Sequence, residues 1–149
     1  MSIHEGMHEN PISKEIVDAE YKIHTKLGLG LLESIYEVIL THELKKRGLR
    51  VQRQLPVPIV WEDIRFEEGY RLDLMVEDKV LVEIKSVERI EPVHKKQLLT
   101  YLRLMNKRLG LLINFNEEVI RTGISRVVNG LEEQAYITTC LPLRLRAFA

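Results

Sequence analysis

Three charged side chains stand inside the most strand-like stretch of the chain, YRLDLMVEDKVLVEIKS at 70–86. Asp73 lies between two leucines, and Glu83 and Lys85 flank an isoleucine within an apolar run. Charged groups in such company are costly unless they are paired or bind an ion. Alternation along a strand puts Glu83 and Lys85 on one face, with Leu81. Asp73 joins them only if the hairpin has the right parity. A three-residue loop, Glu77 to Lys79, sets position 73 opposite 83. A two-residue loop sets Asp73 opposite Ile84 and sends the two acids to different faces. The apolar pattern favours the odd loop, because Leu72, Leu74 and Val76 then share a face with Val82 and Ile84, and the charges gather on the other.

Residues directly opposed across two strands have Cβ atoms about 4.5–5.5 Å apart. Two carboxylates that close repel each other, and one takes up a proton unless a cation sits between them. Mg²⁺ suits such a pair, since it takes a few carboxylates and keeps several waters. One of those waters, acidified by the metal, is a ready nucleophile. Lys85 can orient that water or neutralise charge developing on a phosphate. An acidic pair with a nearby lysine therefore has what metal-assisted phosphodiester hydrolysis needs. The alternative is an ion pair of Lys85 with Glu83 or Asp73 on an exposed face, and spacing alone leaves both open.

The elements that would position these groups read from the N-terminus as follows. Residues 1–9 show no periodicity and read as a flexible tail. Asn10-Pro11 reads as an N-cap and a first helical position. Ile12, Ile16, Ala19, Ile23 and Leu27 then mark a first helix, which stops at Gly28-Leu-Gly30. A second helix runs from about 31 to 47, ended by Gly48, with Ile35, Val38, Ile39 and His42 on one side and His42 at the edge of the core. Residues 51–55 alternate as a strand, and Pro56 and Pro58 force an edge or a bulge. A hairpin-like turn at Glu62-Asp63 leads to strands near 64–67 and 70–77, and another strand spans 80–86. Pro92 opens a third helix to about Asn106, with Leu98, Leu102 and Met105 inward. Gln97 and Tyr101, one turn apart, share the opposite face and are free to line a site.

The nearly continuous apolar run from Leu109 to Phe115 marks a strand covered on both faces. With the preceding strand and helix it makes a βαβ unit. Residues 120–128 fit a strand or a short helix, and 130–149 read as a C-terminal extension without a clear pattern.

At 149 residues the chain has the length of one domain, spanning 10–149 behind the tail. With 45% apolar and 30% charged residues, it has the composition of an ordinary globular protein. No apolar run is long enough to span a bilayer, and no signal peptide is read at the N-terminus. The single cysteine, Cys140, excludes an internal disulfide framework and fits a reducing cytoplasm. Net charge is zero, so no global field advertises nucleic acid. The basic clusters Lys45–Arg53 and Lys95–Arg108 fit phosphate contacts or solvated helix surface equally. His4-Glu5-Gly6-Met7-His8 has the H-E-x-x-H spacing of zinc proteases, but the glycine weakens its helix and no third ligand presents itself.

The pattern Asp73…Glu83-Ile84-Lys85 resembles the core signature of the PD-(D/E)XK nuclease superfamily, although Leu72 stands where that name has proline. Gly30-Leu-Leu-Glu33-Ser-Ile-Tyr36 resembles the motif of its GxxExxY family. The segments EGYRLDLMVEDKVLVEIKSVE, PVHKKQLLTYLRL and GLLINFN are similar to that family's in the same order, so the resemblance runs from about Ile12 to Val128. It implies an α/β, restriction-endonuclease-like core, a mixed β-sheet flanked by α-helices. It implies that Asp73 and Glu83 bind a metal, Mg²⁺ or in its place Mn²⁺, with a further carboxylate from Glu33. Lys85 would be the catalytic lysine, with Gln97 and Tyr101 as a Q-xxx-Y pair beside it. The implied activity is hydrolysis of phosphodiester bonds in DNA. The residues themselves also admit plainer roles. Glu33 suits any helix N-terminus, Glu37 shares its face, and Tyr36 suits packing with a bonded hydroxyl. A second reading is a catalytically inactive nuclease fold, a module binding nucleic acid or protein as a homodimer, for which the neutral charge and the lack of a DNA-binding appendage speak.

Overall fold

The computed structural model describes residues 6–67 and 69–131. In chain order the elements are α1 (Glu9–Leu27), α2 (Glu33–Lys46), β1 (Val51–Pro56), β2 (Ile59–Trp61), β3 (Ile64–Phe66), β4 (Arg71–Val76), β5 (Val80–Lys85), α3 (Pro92–Met105), β6 (Leu109–Asn114), α4 (Ile120–Gly123) and β7 (Ile124–Val128). Five strands form one sheet in the order β1-β4-β5-β6-β7, while β2 and β3 form a separate hairpin. Within the sheet β5 and β6 run parallel, and the other neighbours are antiparallel. The parallel pair joined through α3 is the expected βαβ unit. The expected mixed sheet flanked by helices is present.

Helices cover both faces of this sheet. On one side Ile12 and Ile16 of α1 and Tyr36, Leu40 and Leu44 of α2 pack on Leu74, Val82, Ile84, Leu111 and Ile113. On the other, Leu98, Tyr101 and Leu102 of α3 pack on Met75, Leu81 and Leu112. All six residues of β6 are buried, which is why that strand reads as a continuous apolar run. α3 lies close on the sheet because Gly110 of β6 has no side chain: a Cβ there would stand 2.9 Å from Leu98 Cγ.

Several elements differ from the sequence expectation. α1 begins at Glu9, with His8 as N-cap, ahead of the Asn10-Pro11 signal. Pro11 is tolerated in the first turn because the first four helical N–H groups have no intrahelical partner. The Asn10 carboxamide accepts a bond from Arg126 of β7 and so is drawn away from capping. In α2 the buried face is Tyr36, Leu40 and Leu44, whereas Ile35, Val38 and His42 are exposed. The expected apolar face, with His42 at its edge, is therefore corrected. Tyr36 decides the rotation, since its ring stacks on Phe115 at 4.2 Å and its hydroxyl donates to the Gly28 carbonyl, 2.6 Å.

β1 is an edge strand, in keeping with Pro56 at its end. Residues 120–128 hold both alternatives, one turn of helix and then a strand. Residues 132–149, with Cys140, and His4 of the H-E-x-x-H pattern lie outside the described residues.

Candidate active site

The turn between β4 and β5 sets the parity on which the acids depend. Val76 pairs with Val80, Met75 with Leu81 and Leu74 with Val82, so the next positions, Asp73 and Glu83, face each other. The Lys79 N–H donates to the Val76 carbonyl, 3.0 Å, and the two residues between, Glu77 and Asp78, both have positive φ, 52° and 54°. That is the tight turn favoured in hairpins, with Lys79 as one extra residue. Glu77 holds an unfavourable conformation because it is clamped at both ends of its structure. Its N–H donates to the Arg50 carbonyl, 2.9 Å, and its buried carboxylate accepts the Arg50 N–H, 2.6 Å.

At Asp73 the ladders open on both sides. Toward β1, pairs form at Arg53–Leu74 and Leu55–Leu72 but not between them, because Gln54 has a positive φ of 50°. Toward β5, pairing stops at Leu74–Val82. The side chains fill the gap: the Asp73 N–H donates to Glu83 Oε1, 3.0 Å, and the Ile84 N–H donates to Asp73 Oδ2, 2.8 Å. Each carboxylate thus replaces a backbone acceptor of the missing ladder. The break also corrects one expectation, for Leu72 does not share the face of Leu74 and Val76. It packs with Met75, Leu81 and Leu98 on the α3 side.

Burial governs the charge state here. Glu83 is pushed up to about 8, first by desolvation and then by the charge of Asp73. Asp73 is raised as well, chiefly by burial, against the bond from the Ile84 N–H. Lys85 lowers both through its charge. Among the described residues it makes no salt bridge, so the ion-pair alternative is not what the strands build. All the candidate donors are carboxylate oxygens, the chemistry that a hard divalent cation takes. Among the described residues no three or more His, Cys, Asp or Glu side chains already stand together as a ligand cluster.

α2 brings two more acids. The Ser86 N–H, next to Lys85, donates to Glu33 Oε1, 3.1 Å, and the Ser86 hydroxyl donates to the Leu31 carbonyl, 3.1 Å. Glu33 therefore ties the start of α2 to the end of β5, within electrostatic reach of Asp73 and Glu83. Glu37 is buried and accepts bonds from Arg53, 2.7 Å, and Gln54, 2.6 Å. Gln54 also reaches Asp73 Oδ1 at 3.4 Å. Gly30 has φ 100°, a turn conformation that favours glycine, and Tyr36 closes that turn through Gly28. Tyr36 is thus the packing residue with a bonded hydroxyl.

From the other side α3 delivers Tyr101, buried against Tyr70 with ring centroids 6.1 Å apart. Its hydroxyl is pushed up to about 12, first by burial and then by the charge of Glu83. Gln97 and Tyr101 line one pocket together with His94. Tyr101 is less free than the helix pattern suggests, because it also belongs to the core under α3.

A sequence model of the PD-(D/E)XK nuclease superfamily matches residues 10–127, from α1 into β7. The chain belongs to the PD-(D/E)XK nuclease superfamily. Neither a curated protein nor a solved structure matches it.

Within this nuclease fold, two residues of the network escape sequence reasoning. Gln54 reads as one more residue of an alternating strand, and nothing local announces its positive φ. Glu37 shows in the sequence only as a neighbour of Glu33 on one helix face. Its partners lie on β1, a contact that no spacing within α2 reveals. Among the described residues no helix is long and apolar enough to cross a membrane.

Proposed function

We propose that this chain is a divalent-metal-dependent nuclease that hydrolyses phosphodiester bonds in DNA, a member of the GxxExxY branch of its superfamily acting in the cytoplasm. The observation that carries the proposal is the meeting of Asp73 and Glu83, with Lys85 within electrostatic reach of both, where the β4–β5 ladder opens. Asp73 and Glu83 would hold Mg²⁺, or Mn²⁺ in its place, with Glu33 as the third carboxylate. The ion, when bound, supplies a water of lowered pKa and a Lewis acid for the phosphate oxygen.

The chain's own groups do the rest. The backbone N–H bonds to Asp73 and Glu83 fix both carboxylates before substrate arrives, so little is lost to reorganisation. Lys85, half-buried and without a salt bridge among the described residues, keeps its ammonium available for the charge that grows on a phosphate. Glu33 holds the strand end after Lys85 through the Ser86 N–H, and so also positions the lysine. Gln97 and Tyr101 face the substrate from α3.

The purified protein incubated with DNA and Mg²⁺ or Mn²⁺ should cleave it, and chelation should stop cleavage. Asp73→Ala or Lys85→Ala should reduce the rate at least about a hundredfold with the fold intact by circular dichroism. Cleavage that survives both substitutions overturns the proposal. A second reading, a non-catalytic module that binds nucleic acid or protein as a homodimer, draws support from the absence of a preassembled three-ligand cluster among the described residues. Calorimetry with Mg²⁺ and Mn²⁺ separates the two, because only the nuclease requires a metal site.

A further inference from the structure

Beside the acid cluster lies a pocket of about 420 Å³, within the range of small-ligand sites. Ile59, Tyr70, Val93 and Leu104 give it apolar walls, and Gln97 and Tyr101 of α3 border it too, Tyr101 within electrostatic reach of Glu83 and Asp73. Its wall continues onto the β2–β3 hairpin. Ile59 pairs with Phe66 and Trp61 with Ile64, so these four side chains share one face of the hairpin. Ile59 lines the pocket, so the face it shares with Trp61, Ile64 and Phe66 adjoins it. Trp61 is 68% exposed, and Ile64 and Phe66 are exposed too. Two aromatic rings held in solvent on a short hairpin call for a partner.

We propose that this pocket and hairpin face receive an unstacked nucleobase, so that the nucleic acid reaching Asp73, Glu83 and Lys85 is single-stranded or splayed at the point of entry; the proposal rests on the nuclease reading of that site. Bases stack on aromatic faces without regard to sequence, because every base has a π-face. The chain carries a net charge of zero, so no global field draws in a duplex by its phosphates. Bases inside an intact duplex are stacked on each other and must be extruded before they can enter a pocket.

The pocket also offers polar contacts at its rim. Gln97 and Thr100 can bond a base edge, and Lys96 adds a cation on the same helix. The His94 Nδ1 accepts the Glu91 N–H, 2.9 Å, which leaves its Nε2–H as a donor. Continuity with the acids through Tyr101 favours substrate over a protein partner, because a protein seated on this face would cover the approach to the acids.

Trp61 is the chain's single tryptophan, so its emission reports on this face alone. In EDTA, where no cleavage occurs, oligo(dT) and oligo(U) are titrated against a blunt duplex of the same length. A single strand should quench Trp61 and bind at least about tenfold tighter than the duplex. The more tightly bound of the two oligomers identifies the base source as DNA or RNA. Trp61→Ala and Phe66→Ala, both at exposed positions, should each weaken single-strand binding about tenfold by fluorescence anisotropy.

Unchanged Trp61 emission at saturation, or equal affinity for duplex and single strand, overturns the proposal. A dimer in sedimentation equilibrium that Trp61→Ala dissociates gives the face to a second copy and overturns it as well. Single-strand binding of this kind without cleavage of any substrate removes the nuclease reading and leaves the pocket. Duplex cleavage without such binding does the reverse.

Discussion

Glu83→Gln tests the electrostatics of the site apart from any catalytic assay. The substitution keeps an oxygen to accept the Asp73 N–H, now at 3.0 Å, and removes a charge that is buried beside Asp73. In the wild-type protein the Glu83 carboxyl stands at about 8 instead of the ordinary 4.5. The folded protein therefore holds this proton more tightly than the unfolded chain. Stability falls as pH climbs from about 4.5, and the loss is complete above about 8. At about 1.4 kcal/mol per pH unit, that span sets a ceiling of about 5 kcal/mol. Relaxation and solvent around an incompletely buried group bring the expected difference to about 2–3 kcal/mol.

The assay is thermal or urea unfolding of both proteins from pH 4 to 9 in EDTA. Subtracting one curve from the other cancels the remaining titrating groups. Near pH 4 the two should be equally stable. By pH 9 the glutamine variant should be ahead by about 2–3 kcal/mol, or roughly 5–10 °C in Tm for a chain of this size. Millimolar Mg²⁺ should erase much of the gap by stabilising only the wild-type protein. A difference curve flat with pH, or a variant that loses ground as pH rises, refutes the account of Glu83 as a buried acid strained by Asp73.

Two further substitutions probe what positions the site. Gly110→Ala sets a Cβ 2.9 Å from Leu98 Cγ and should cost about 1–3 kcal/mol in urea unfolding, since α3 must shift off the sheet. Tyr36→Phe keeps the stacking on Phe115 but removes the 2.6 Å bond to the Gly28 carbonyl, and should cost about 1–2 kcal/mol with little change in Mg²⁺ affinity by calorimetry.

How much of this is legible in the sequence depends on the range of the interaction that decides each feature. The hairpin parity is legible, because a loop of three residues and the apolar pattern of two short strands agree and both signals are local. The βαβ unit is legible for the same reason, in the fully apolar β6 and the periodic α3. The rotation of α2 is not. Ile35, Val38 and Ile39 make as good a stripe as Tyr36, Leu40 and Leu44, and the choice falls to Phe115, far along the chain. Leu72 is misread because period-two alternation assumes an unbroken ladder, and the ladder breaks at its neighbour.

That break is what joins the fold to the chemistry. A continuous sheet would satisfy the backbone at Asp73 with backbone acceptors and leave carboxylates there as isolated buried charges. Because Gln54 drops out of the ladder on one side and β5 parts on the other, backbone N–H groups near the opening are left for side chains to satisfy. Glu83 and Asp73 accept one each, and are held facing one another in surroundings that raise both. The reciprocal bonds use Glu83 Oε1 and leave Oε2 without a hydrogen bond among the described residues. The same opening that costs the sheet its ladder bonds at Asp73 thus supplies a fixed, electron-rich oxygen beside a second carboxylate and a lysine that makes no salt bridge among the described residues. A divalent cation or a proton must answer that arrangement, and the pH dependence of Glu83→Gln tells which one does so at neutral pH.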